Sequence, residues 1–227
     1  MMGTTHGVLE RVRRFALPEG VVACRGTWLR QVGEMRFGPD SRWLPFEAEQ
    51  WFEGHDIDFR WQAKVRMAPL VSAEVVDAFK NGAGTLTARV FGVIPLARAR
   101  GPETDRGEAL RGLSELPWRP FGFGEGPSII WEATKSDGLR ASFDDGRTRA
   151  VLEFEVDAEG RVLGGRTSSR PRLVDKSVVD TPWSGVFGEY RMFDGLRVPT
   201  AAEVTWHLPE GLFTYWRGRV IEFRVLR

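Results

Sequence analysis

The side chains able to do chemistry are few and scattered. His6, His55 and His207 fall in the lead-in, a loop and a late strand, and no two have the close spacing of a local metal clamp, so surface histidines are expected. Cys24 is the sole cysteine, which excludes an intramolecular disulfide or a thiolate metal cage built by one chain and fits a reducing compartment. No G-x-S-x-G elbow occurs, and no serine is marked as a nucleophile. Gly122-Phe123-Gly124-Glu125-Gly126-Pro127-Ser128 has the close glycines of an anion-binding loop. It lacks the following Lys-Ser or Lys-Thr, leads into a strand, and carries a carboxylate that would repel phosphate. An ordinary loop is expected there, with a mobile flap over a cavity as the functional alternative.

Four carboxylates, Glu115, Glu132, Glu189 and Glu203, stand near aromatics or glycines. Glu115 follows Arg111 by four residues, a helical pair that contributes a few tenths of a kcal/mol, roughly, when solvated. Beneath a helix closing over a cavity, the same pair becomes a polar anchor. Trp216-Arg217 and Phe223-Arg224 mix aromatic and basic character in the manner of a single-stranded nucleic-acid platform. The charge balance argues against that partner: Lys plus Arg number 32 and Asp plus Glu 31, which gives no long-range field to gather a polyanion. Neither a metal nor a cofactor is expected.

These side chains need elements to position them, and the clearest element is Ile57–Met67, IDFRWQAKVRM. Apolar and polar residues alternate along it without a break, which describes an antiparallel strand with one buried and one wet face. Further strands are read over Val21–Phe37, Trp43–Phe52, Val71–Phe79 and Thr85–Ala97. In the second half they are read over Ile129–Thr134, Leu139–Phe143, Ala150–Val156, Arg161–Ser169, Gly185–Phe193, Ala202–Leu208, Leu212–Arg217 and Val220–Leu226. Asn81-Gly82, Asp137-Gly138, Asp145-Gly146 and Asp194-Gly195 supply hairpin chemistry between them. One clear helix, Arg106 to Glu115, follows Gly101-Pro102; Asp105 and Glu108 have capping-box spacing, and Pro117 ends the helix. The first 20 residues form a short helical or irregular lead-in with Val8, Leu9, Val12 and Phe15 at helical spacing.

The fold class expected is mainly β: a single large curved antiparallel sheet, a half-barrel of ten to twelve strands, with one short helix as a lid. No βαβ alternation, repeat or linker divides it, so residues 21–227 read as one domain. The N-terminus holds no apolar run of signal-peptide length and no segment approaches a membrane span, so the expectation is a cytoplasmic protein without an integral membrane segment.

Leu110-Arg111-Gly112-Leu113-Ser114-Glu115-Leu116-Pro117-Trp118-Arg119-Pro120, followed by Ile130-Trp131-Glu132, resembles a motif of an uncharacterised family of bacterial and archaeal proteins. There an Arg-Tyr-Leu-x-Glu helix precedes Trp-x-Pro and a Trp-containing strand. Phe59-x-Trp61, Gly82-x-Gly84, Trp183-x-Gly185 and Gly195-x-x-Val198-Pro199 match as well. Gly112 departs from the family pattern, which usually has Tyr. The order of strands around an interposed helix is more distantly similar to the lipoprotein-carrier half-barrels of the LolA and LolB type. That resemblance implies acyl chains held in the hollow of a curved sheet beneath a helical lid.

Together these readings point to a lipid or another hydrophobic small molecule as partner, held by Phe59, Trp61, Trp131 and Trp206 on the concave face and by Arg111, Glu115 and Trp118 at the lid. Two alternatives stand beside it: an enzyme on the same scaffold with Glu115 or His207 as acid or base, and a structural or protein-binding module whose concave face is filled by its own side chains.

Overall fold

The computed structural model describes residues 4–20, 24–53, 57–124, 128–175 and 177–227. Thirteen antiparallel strands form one curled half-barrel sheet with two α-helices. The first half is a six-strand meander: β1 (Gly26–Met35), β2 (Leu44–Glu53), β3 (Phe59–Ala68), β4 (Val71–Lys80), β5 (Ala83–Val90) and β6 (Ile94–Ala99). The second half is a seven-strand meander: β7 (Ile129–Ala133), β8 (Leu139–Asp144), β9 (Arg149–Val156), β10 (Val162–Val174), β11 (Ser177–Phe193), β12 (Leu196–Leu208) and β13 (Gly211–Leu226). The two meanders join along one seam, where the first strand pairs with the last from Gly26↔Leu226 to Met35↔Trp216. β6 and β7 are left as the outer edges.

β3 obeys its alternation residue by residue: Phe59, Trp61, Ala63 and Val65 are buried, and the residues between them are exposed. Pro45 is the second residue of β2, where a missing N–H disturbs the ladder least. Thr85–Ala97, read as one strand, is two. Phe91 and Gly92 both adopt positive φ, 52° and 71°, and close a tight hairpin whose second arm is β6. β13 runs unbroken through the stretch read as two strands.

Helix α1 (Thr5–Ala16) buries Val8, Val12 and Ala16 at four-residue spacing, and the Thr4 hydroxyl accepts the Gly7 N–H at 3.2 Å as its cap. It packs against β7, β8 and β12. Helix α2 (Pro102–Ser114) lies on the concave side against β4, β5, β8, β9 and β10. Its start differs from the capping box expected at Asp105. Gly101, at φ 105°, precedes Pro102 in the first turn. Asp105 instead accepts the Gly84 N–H at 2.7 Å and ties the helix to β5. Gly112 faces Ile57, where an added Cβ would stand 2.4 Å from the backbone oxygen. That close approach accounts for a glycine at this position. Two short 3-10 turns, Leu116–Trp118 and Pro120–Gly122, follow the helix. Among the described residues, no helix is long and apolar enough to cross a membrane.

Candidate functional site

α2 spans the hollow of the sheet without filling it, and a cavity of about 430 Å³ remains beneath it, in the size range of small-molecule sites. Its apolar wall is drawn from both meanders: Trp61 and Val65 of β3, Val75 of β4, Leu86 and Ala88 of β5, Trp183 and Phe187 of β11, Tyr215 and Trp216 of β13. Phe37 and Leu96, both well exposed, also line it and mark its rim.

A compact polar group faces this wall. Glu108, Arg111 and Glu115 share one face of α2 by their spacing of three and four residues. Arg111 Nη1 donates to Asp77 Oδ2 at 2.6 Å and its Nε to Glu115 Oε1 at 2.9 Å. Its guanidinium lies 5.0 and 4.8 Å from the ring centres of Phe59 and Trp61, in cation–π contact with both. Gln50 Nε2 donates to Glu115 Oε2 at 2.5 Å. The Arg111–Glu115 pair is therefore the buried polar anchor, with Glu115 only 8 % exposed, rather than a solvated pair. Glu108 is 7 % exposed. Its Oε2 and Asp77 Oδ1 are buried with no hydrogen-bond partner among the described residues. Arg170 of β10 completes the set and lies over the rings of Trp183 and Trp206 at 4.7 and 5.8 Å.

Burial dominates the ionisation of the acids. It pushes the Glu108 carboxyl up to about 8, reinforced by Asp77 and Glu115 and opposed by Arg111 and Arg170. Burial also raises Asp77 and Glu115 above the ordinary carboxylate range, although Arg111 pulls both down. For Arg111 burial works against the charge, and Glu115, Asp77 and Glu108 more than offset it, so its pKa is raised. A protonated Glu108 beside the ion pairs of Arg111 is a hydrogen-bonding site in a largely apolar pocket. Among the described residues, no group of three or more His, Cys, Asp and Glu is arranged to hold a metal ion.

The structure brings Trp61, Arg111, Glu115 and Trp118 to the cavity, with Phe59 packed directly behind Arg111. Trp118 Nε1 donates to the Pro199 carbonyl at 2.8 Å, which locks the ring between lid and sheet. Two expected wall residues lie elsewhere. Trp131, on β7, packs against Phe123 and Phe154 and donates to the Gly124 carbonyl, away from the cavity. Trp206 stacks on Tyr215 behind the wall, with ring centres 5.7 Å apart. His207 is exposed and pairs with Ser184 Oγ at 2.8 Å, so it is no acid or base of this cavity. His55 and residues 125–127 of the glycine loop lie outside the described residues.

Asp77, Glu108 and Arg170 are among the polar cavity residues that sequence reasoning passed over. Asp77 shares the parity of Ala73, Val75 and Phe79 and pairs across from Trp61, so an acid on an inward strand position was the available signal. Glu108 carried a signal too, three residues before Arg111 and seven before Glu115.

Residues 9–218 match the family of unknown function DUF6544. The chain belongs to it. This DUF6544 protein is also similar in structure to the LolA superfamily protein NE2245 from Nitrosomonas europaea, at 11 % identity and a TM-score of 0.54 over 99 % of this chain and 94 % of that one. A Vibrio parahaemolyticus domain described as an outer membrane lipoprotein-sorting protein gives 10 % identity and 0.54 over 97 % and 93 %. A DUF1329 family protein from Desulfovibrio piger gives 11 % and 0.54 over 97 % and 92 %. At these identities the likeness is one of fold: the LolA-type half-barrel. No curated protein matches the sequence.

Proposed function

We propose that this DUF6544 protein binds a lipid or another hydrophobic small molecule in the concave face of its half-barrel. The observation that carries this reading is the cavity of about 430 Å³ between α2 and the sheet, walled by Trp61, Val65, Val75, Trp183 and Trp216. A chain whose concave face served only as structure would close such a space, because apolar voids of this size forfeit packing energy. The reading is also supported by the lipoprotein-sorting description of a protein with the same fold. Recognition needs no catalytic residue here: apolar area supplies affinity and the buried polar group orients the ligand.

Native mass spectrometry of protein purified from cells tests it. A retained small molecule, or uptake of a polarity-sensitive dye that long-chain lipids displace, is the expected result. Protein free of any such molecule that also takes up neither dye nor lipid would overturn the proposal.

A further inference from the structure

The cavity floor has a chemistry of its own. Two buried carboxyl oxygens, Asp77 Oδ1 and Glu108 Oε2, have no donor among the described residues, and both side chains line the cavity. An orphaned buried acceptor carries the full desolvation penalty of its group, so the site is left incomplete by the chain alone. What it lacks is a group rich in N–H or O–H donors.

Charge narrows the choice. The floor holds three carboxyls, Asp77, Glu108 and Glu115, against two guanidiniums, Arg111 and Arg170, and the further lining residues Glu203 and Arg36 add one charge of each sign and leave the balance unchanged. Arg111 is already held by Asp77 and Glu115. Arg170 makes no ion pair among the described residues and rests on Trp183 and Trp206, but an anion brought to it would enter the field of Asp77 and Glu115, and of Glu108 once that carboxyl ionises. A cation entering beside Glu108 instead brings the ionised set to neutrality, and the surrounding indole faces favour positive charge. We propose that the ligand is an amphiphile with a protonated amine head, its ammonium donating to Glu108 Oε2 and Asp77 Oδ1 while its chain lies along the Trp61–Trp183–Trp216 wall.

This inference rests on the hydrophobic-ligand reading above, and the test separates the two. Binding of decylamine, decanol and decanoate, probes with chains of one length, is measured by calorimetry at pH 8.5. Decylamine is expected to bind about tenfold or more tighter than either of the others, the scale of a charge-assisted hydrogen bond. Equal or tighter binding of decanol or decanoate would overturn the amine head and leave the hydrophobic-ligand reading intact. Failure of all three would overturn both.

Proton linkage gives a second readout that needs no variant. The groups acting on Glu108 are Asp77 from β4, Arg170 from β10, and Arg111 and Glu115 from its own helix. An ammonium beside Glu108 favours its ionised form, so binding expels a proton below about pH 8 and none well above it. Decylamine affinity should therefore rise from pH 7 to pH 9, where an alkylammonium keeps its proton. Glu108→Gln should lose both that rise and most of the preference for decylamine over decanol. An unchanged preference in this variant would place the amine elsewhere.

Discussion

Glu108 shows how much one side chain's role depends on where the helix begins. Were the helix capped at Asp105, Glu108 would close a capping box; with α2 starting at Pro102, it points into the cavity instead. Its carboxyl stays protonated in the fold up to about pH 8, while the unfolded chain releases the proton near the ordinary value of 4.5. Between those values the folded state binds more protons, so stability falls as pH rises, by up to about 1.4 kcal/mol per unit, and levels off above pH 8. Asp77 and Glu115, also raised, act in the same sense. Thermal melts should show Tm declining from pH 5 to pH 8, with a shallower decline in Glu108→Gln; a wild-type Tm that is flat or rising over that range contradicts the assignment. At this scale the sequence was half legible. Arg111 and Glu115 lie within one helix, where spacing alone makes them neighbours. Asp77 and Arg170 come from strands 93 positions apart in the chain, and only sheet curvature and register bring them to Arg111.

At the scale of elements, α2 owes its depth in the hollow to Gly112. On an exposed helix, Gly to Ala stabilises by about 1 kcal/mol. Here the added carbon would stand 2.4 Å from the Ile57 carbonyl oxygen and 3.0 Å from its Cβ. Gly112→Ala should instead destabilise, by about 1–3 kcal/mol in urea unfolding, because the helix must lift or the chain at Ile57 must shift. A gain in stability would mean that helix and sheet are not in this contact. Elements with strong alternation were readable: β3 was found nearly to the residue, since each of its side chains has one environment. The first half of β11, residues 177–184, was not read as strand, because Val178, Val179 and Asp180 are all exposed and leave no period of two. The split of β5 from β6 was hidden by Phe91, a bulky residue at positive φ where glycine or asparagine is the usual signal.

For the whole molecule, the half-barrel and its lid were legible because nearly every strand keeps one greasy face and almost every connection carries turn residues. Whether the hollow was filled was not, since that depends on the distance between α2 and the opposing strands rather than on any local pattern. The cavity can be closed by design. Ala88→Phe, on its β5 wall, should abolish lipid and dye uptake while changing unfolding free energy by less than about 1.5 kcal/mol. Retained uptake in a folded Ala88→Phe protein would move the ligand out of this cavity.

The seam between β1 and β13 sets the order of events at birth. Gly26 finds Leu226 and Met35 finds Trp216, so β1, sixth of the thirteen strands across the finished sheet, lacks one of its two neighbours until the ribosome has passed β13. The six-strand meander emerges early with β1 as a bare edge, offering its N–H and C=O groups to any passing strand. Contacts between such remote positions form slowly and leave intermediates exposed. The six-strand meander is thus the part most open to mispairing until the sixteen-residue β13 arrives to cover β1.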